Sequence, residues 1–400
     1  MEQNKNIDRI TNLDFIRGIA VLGILIMNAV MFVLPKSAYY NPSSAGTDNI
    51  LDWIFVAFSQ IFVAEKMMGL FSLLFGASIV LFIESLKRRN SKYPHIRSIW
   101  RNLILLIVGI IHLSIWFGDV LILYALCAPI VLLLYRMNRY FILILGVLFI
   151  NLPVIFSIIF QPIFDSQGNL IMAGWVKDFV ISSESETSKI GLGQFWFADK
   201  TMTGDLYGIF ILIDAFGRAL GMMLIGVFLY RSNILQGIYN NLFYRKMAII
   251  GFAIGIPLAT SSLIWGITKD YNPSIALSYS NPHRIANLPL VLGYVGLLTL
   301  LNTKLPLQFV TRIRAVGKMA LTNYLTQTLI STLIFTIVFP ELMLSRSGLM
   351  LYIVAIWVLQ IYWSKYWLDH FQYGPFEWVW RKCTYITIKA PITLEKKQNP

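Results

Sequence analysis

The chain has 400 residues, of which 57% are hydrophobic and 13% charged, with a net charge of +13 and a mean hydropathy of +0.66. Soluble domains carry about a quarter charged residues, so this composition excludes one and points to an integral membrane protein. The positive charge is no nucleic-acid footprint, because the basic residues lie between apolar runs, where they orient a chain in a lipid bilayer.

In chain order, apolar runs predict spans near 13–34, 68–86, 99–117, 119–135, 139–162, 207–230, 246–267, 285–302, 316–339 and 348–368. Runs of about 20 residues suit helices crossing about 30 Å of hydrocarbon, whereas barrel strands alternate over about ten. The expected fold is therefore all-α, a polytopic membrane helical bundle of ten spans in a single domain without repeats. The first run is too long for a cleavable signal and is expected to remain as a span. The run 50–64 is shorter and holds Asp52 and Gln60. It reads as an interfacial or re-entrant helix, since a full crossing would part Lys5, Arg9 and Arg17 from the other basic clusters. Lys87, Arg88, Arg89, Lys92, Arg97 and Arg101 are then expected to face the cytoplasm, with both termini. Residues 163–206 become an extracytoplasmic loop and 369–400 a cytoplasmic tail. That loop is too short for a catalytic domain, so chemistry has to be built from the bundle.

Ionisable groups at membrane depth are costly and mark candidate sites. Asp14 and Arg17 can pair at i, i+3, and Asp214 and Arg218 at i, i+4. His112 lies in "GIIHLSIWFGD" (109–119) with Trp116 one turn away. Asn28, His112 and Asp214 fall at similar depth, which predicts one wet cavity in which a carboxylate, Asp214 or the competing Asp119, tunes His112 for acid/base work. The plainer alternative is a histidine bridging helices. Asn323 and Gln327, one turn apart and level with Gln360, serve either interhelical hydrogen bonding or a polar ligand lining. "YGPFEWVWR" (373–381) reads as an aromatic and basic interfacial anchor. No Walker loop, dinucleotide fingerprint, zinc motif or G-x-S-x-G elbow occurs, and Cys127 and Cys383 offer no metal spacing.

"LDFIRGIAVLGILIMN" (13–28), "LFSLLFGAS" (70–78), "GIIHLSIWFGD" (109–119), "GKMALTNYLTQ" (317–327) and "YGPFEWVWR" (373–381) resemble successive signatures of the YeiB-like bacterial membrane proteins, domain-of-unknown-function family 418. That family is similar to a wider superfamily of transmembrane acyltransferases that includes lysosomal heparan-glucosaminide N-acetyltransferase. The shared element is the opening L-D-x-x-R-G, here Leu13 to Gly18. The resemblance implies transfer of an acyl group from cytoplasmic acyl-CoA, a co-substrate and not a resident cofactor, to an extracytoplasmic glycan, lipid or small metabolite. One departure matters: the lysosomal enzyme has its catalytic histidine in the outer connection after the opening helix, and this chain has no histidine between Met1 and Pro94. If the chemistry is kept, His112 is the expected general base, with Asp214 and Asn28 beside it and His283 of "NPHRI" as fallback. Asp119, Trp116, Arg218, Asn323, Gln327, Arg17 and Arg314 are the candidate substrate or cofactor contacts. Arg312, Arg314, Lys318, Arg97 and Arg101 are available to the anionic pantetheine nucleotide. The alternative is a solute transporter or permease using Asp214, Arg218 and His112. A homo-oligomer is compatible with either.

Overall fold

The computed structural model describes residues 10–35, 37–160, 205–271 and 278–386. Almost all of the expected loop 163–206, and the tail beyond 386, lie outside the described residues. The helices are α1 (Thr11–Val33), α2 (Ser37–Tyr40), α3 (Ile50–Phe58), α4 (Lys66–Arg88), α5 (Pro94–Ile115), α6 (Leu121–Leu134), α7 (Arg139–Phe160), α8 (Asp205–Arg231), α9 (Asn241–Thr268), α10 (Asn281–Lys304), α11 (Leu307–Lys318), α12 (Ala320–Thr332), α13 (Arg346–His370) and α14 (Pro375–Ile386). No strand occurs among the described residues. Among those residues nine helical runs are long and apolar enough to cross a membrane, and α6 adds a shorter apolar helix. The chain is an all-α, multi-pass membrane protein.

Burial sorts these helices into centre and rim. In their most apolar stretches α1 is 72% buried and α8 67%, against 28% for each of α5, α7, α9 and α13, whose remaining apolar surface suits lipid. Small residues let the central helices touch backbone to backbone: a Cβ at Gly76 of α4 would collide with the Met223 carbonyl, and one at Gly226 of α8 with that of Leu73. The connections after α4, α6 and α8 carry Arg89, Lys92 and Arg136 or lie beside Arg139 and Arg231, and they define the basic end of the bundle.

Two spans are broken. α3 begins at the end opposite the basic one, where Asp52 accepts the N–H of Ser347 at 2.7 Å. It runs inward through a π-turn, Ser59–Val63, to Glu65 in the left-handed region at φ 64°, and α4 starts there. Tyr294, well inside α10, donates to the Phe62 carbonyl at 2.8 Å. α3 thus makes no crossing of its own; with α4 it forms one interrupted passage. The expected span 316–339 is also interrupted: α11 ends at Lys318, and α12 starts afresh at Ala320. α11 packs against the first turns of α1, where a Cβ at Gly18 would strike the Ile313 carbonyl and one at Gly317 the Asp14 carbonyl. The exposed N–H groups at the start of α12 are taken up by Glu377 of α14, which accepts from Leu321 N at 2.7 Å, Thr322 N at 3.0 Å and the Thr322 hydroxyl. α14 is also tied to α5: Trp380 donates to the Arg101 carbonyl at 2.9 Å and Trp100 to the Cys383 carbonyl at 3.1 Å.

Candidate functional site

α1 and α4 carry much of their residual exposure on one stripe each. Within α1, apart from Ile19, the half-buried positions are Arg17, Ile24, Asn28 and Met31, which fall on one face. On α4 the half-buried Met68, Phe71, Phe75, Ser78 and Phe82 do the same. The stripes meet where Arg17 donates to the Ser78 hydroxyl at 2.8 Å, and we read the part-exposed strip they share beside the α5–α6 pair as a narrow crevice. An arginine and an asparagine in this lining favour water over lipid.

At the basic end of the crevice Arg17 pairs with Asp14 at 3.5 Å. Arg101 stands close by, stacked between Phe82 at 4.5 Å and Trp380 at 4.1 Å, with Arg381 also in electrostatic reach. Arg101 thus has two further guanidiniums, Arg17 and Arg381, within electrostatic reach. Farther along, Phe71 stacks on the buried Tyr124 at 6.0 Å, and Phe75 packs tilted against it at 5.1 Å. Beyond Asn28, Phe32 of α1 stacks on Trp116 at 4.7 Å, and Trp116 lies edge-on to His112 at 6.0 Å.

His112 is 3% exposed and fully engaged. Its Nδ1–H donates to Asp119 at 2.7 Å, and the other Asp119 oxygen accepts from Ile122 N at 2.8 Å. That fixes the tautomer of the neutral ring, so Nε2 accepts from the Thr328 hydroxyl at 2.9 Å. Tyr324 covers the ring at 5.1 Å. Two buried polar atoms around this ring lack well-formed hydrogen bonds: Trp116 Nε1 and the Tyr324 hydroxyl beside Val120 and Asp119. Such atoms are costly unless something fills the space they face.

Asp214 belongs to a second network. It accepts from Arg284 Nε at 3.0 Å and ion-pairs with Arg218, which also reaches Glu65 at 2.7 Å. Lys66, with no exposed surface, donates to the Gln60 carbonyl at 2.8 Å and lies 2.9 Å from His283 Nε2. Two carboxylates, two guanidiniums, an ammonium and an imidazole therefore meet at the α3–α4 break.

The expected trio of Asn28, His112 and Asp214 is corrected in one respect: the carboxylate on His112 is Asp119, and both oxygens of Asp214 serve arginines. Asn28 remains on the crevice stripe, one turn from Phe32. The pairs Asp214–Arg218 and Asp14–Arg17 form, and His283 is buried in the first turn of α10. Arg314 bonds to Asn302, at 2.9 and 3.1 Å, and Arg312 stacks on Tyr362 at 4.7 Å, whereas Arg17 and Arg101 lie against the α4 stripe at Ser78 and Phe82. Asn323 and Gln327 form an interhelical ladder: Asn323 donates to Ser364 at 3.0 Å, and Gln327 donates to Gln360 at 2.9 Å and to the Val21 carbonyl at 3.2 Å. Sequence reasoning missed Glu65, Lys66, Arg284 and Thr328 as site residues. Among the described residues no three His, Cys, Asp or Glu side chains converge on a metal-sized site.

Residues 229–387 match the family model described as "Protein of unknown function (DUF418)". Over 94% of its length the chain is 31% identical to the uncharacterized protein YeiB of Escherichia coli K12, covering 96% of that protein. It is 27% identical to an uncharacterized 39.9 kDa protein in the amylase 3' region of Bacillus acidopullulyticus, covering 98% of both chains. It is 28% identical to the uncharacterized protein YxaH of Bacillus subtilis 168 over 98% of its length, covering 97% of that relative. No solved structure matches the chain.

Proposed function

The chain belongs to the DUF418 family of YeiB-like membrane proteins, and from that premise we propose that it is an acyltransferase of the bacterial plasma membrane. It takes an acyl group from cytoplasmic acyl-CoA and gives it to an extracytoplasmic hydroxyl or amine, with His112 as general base. The basic end is the cytoplasmic one in this reading, by the rule that places Lys and Arg inside.

The observation that carries the reading is the crevice from Arg17 and Arg101 to the His112–Asp119 pair. Guanidiniums at its mouth suit the phosphates of the nucleotide, and the Phe71–Phe75–Phe82 wall suits a pantetheine arm and its acyl chain. At the far end the carboxylate-fixed imidazole offers a proton acceptor at Nε2. CoA should raise the thermal midpoint of the purified protein, and the shift should shrink in Arg17→Ala and Arg101→Ala. A protein unmoved by saturating CoA and inert toward its thioesters would sink the proposal. In a cysteine-free background, a cysteine at Ser345 should react with an impermeant reagent on intact cells and one at Asn90 should not; the reverse pattern would invert the orientation.

A transporter reading draws on one specific observation, the charged network at the α3–α4 break, because interrupted helices with buried charges mark solute sites in transporters. Solute or proton flux into proteoliposomes, abolished by Asp214→Asn and indifferent to His112→Gln, would favour it.

A further inference from the structure

Hydroxyls inside helices commonly fold back on the carbonyl one turn earlier. Ser72, Ser78, Thr299, Thr326, Ser331 and Thr384 all do so here. Thr328, 1% exposed in the middle of α12, instead gives its hydroxyl to His112 Nε2 at 2.9 Å. Behind it follow the 2.7 Å bond from Nδ1–H to Asp119 and the 2.8 Å anchor from Ile122 N. Hydroxyl, imidazole and carboxylate stand in the order that activates an alcohol for attack on an acyl carbon. α12 supplies the hydroxyl, α5 the imidazole, and the turn into α6 the carboxylate.

From this geometry we infer that Thr328 is a nucleophile that holds the acyl group as an ester between donor and acceptor. The inference rests on the acyl-transfer reading above and deepens it. Thr328 Oγ1 attacks the carbonyl carbon of the acyl thioester while its proton passes to His112 Nε2. The tetrahedral oxyanion collapses, the carbon–sulfur bond breaks, and the proton moves from His112 to the departing thiolate, leaving free CoA and an acyl-threonine. An acceptor hydroxyl or amine then gives its proton to Nε2 and attacks the ester carbon. The bond to Thr328 breaks, and the proton returns to Oγ1. Trp116 Nε1–H and the Tyr324 hydroxyl, both buried around the same imidazole, are the donors available to the oxyanion. A covalent carrier also suits a narrow crevice, since the donor can leave toward the basic end before the acceptor arrives from the other.

The test uses the full chain in detergent with acetyl-, octanoyl- and palmitoyl-CoA, each radiolabelled in the acyl group, and no acceptor. The expected result is a burst of about one equivalent of free thiol per chain, with hydroxylamine-labile label on the α12 peptide holding Thr328. Thr328→Val, which keeps the shape and loses the hydroxyl, should show neither burst nor label while its thermal midpoint and CoA binding persist. Thr328→Ser should retain both, which keeps the test open if the valine variant does not fold. Label mapped to another residue, a full burst in Thr328→Val, or CoA binding by the wild type without any burst would overturn the nucleophile and leave the acyl-transfer reading standing. Failure of the wild type to bind CoA or react with any of the three thioesters would overturn both.

Discussion

The His112 site and the Asp214 network occupy the same bundle, and both use ionisable side chains that a bilayer interior penalises, yet they settle that penalty in opposite ways. Around Asp214 charge answers charge: Arg218 and Arg284 bond to it, Arg218 also reaches Glu65, and Lys66 sits on His283 beside them. Around His112 there is one carboxylate, one imidazole and one hydroxyl in series, fringed by polar atoms without settled partners. The first arrangement is costly to disturb, because removing any member strands another buried charge. The second leaves bonding capacity over, which is what a site meant to receive a reacting group needs. Charge density alone therefore does not single out the reactive centre; unspent hydrogen-bonding capacity does so better.

The comparison is broken most sharply by substitution at the two centres. His112→Gln should lower acyl-CoA turnover by about 10²- to 10⁴-fold with the thermal midpoint nearly unchanged. Asp119→Asn should act in the same direction by loosening the tautomer, and a large loss of folding in either variant would reassign His112 to a structural role. Asp214→Asn or Arg218→Gln should cost about 3 to 5 kcal/mol in stability, by analogy with broken buried pairs. The double variant should be milder than the sum of the singles, with Arg284 as the residual burden; strictly additive losses in detergent melting would show that these charges act independently. At the crevice mouth, Arg17→Ala or Arg101→Ala should weaken CoA binding by about 10- to 100-fold, as expected for a lost charge-assisted bond of about 1.5 to 3 kcal/mol. Equal affinity by titration calorimetry would move the nucleotide elsewhere. The smallest effect is expected for Glu377→Ala, about 1 kcal/mol for a lost helix cap, read as a lowered midpoint.

Much of the fold was legible because hydrocarbon thickness imposes length on apolar runs: the run 246–267 sits inside α9 (Asn241–Thr268), and 13–34 coincides with α1 to within two residues. The α3–α4 break was legible in part, because the short run 50–64 reads as interfacial or re-entrant, whereas the α11–α12 break was not. Met319, at the end of α11, is apolar and passes for the interior of a span, while the basic amphipathic α11 before it resembles a loop. His112 stood out because a lone histidine in an apolar run is expensive, and Asp119 because it closes the same motif. Glu65 and Lys66 fell in the seam between two apolar runs, where charge looks like a connection rather than a site. Depth alone placed Asp214 with His112, but rotation about the helix axes, which no run length reports, turned Asp214 toward Arg218 and Arg284. Thr328 carried no sequence signal, since a threonine in a membrane helix is ordinary until its hydroxyl is seen to bypass its own backbone.

The carboxylate of Glu377 holds the start of α12, a helix laid down more than fifty positions earlier in the chain. During synthesis α12 and α13 both precede it, so the opening turn of α12 has to wait, uncapped, until α14 leaves the ribosome. Arrival of α14 also brings Trp380 onto the Arg101 carbonyl, joining a late helix to the early α5. The C-terminal segment therefore acts as a closing latch, in the order of manufacture as well as in space. A chain halted just after His370 would contain the nine membrane-length runs found among the described residues and still have α12 open at its first turn.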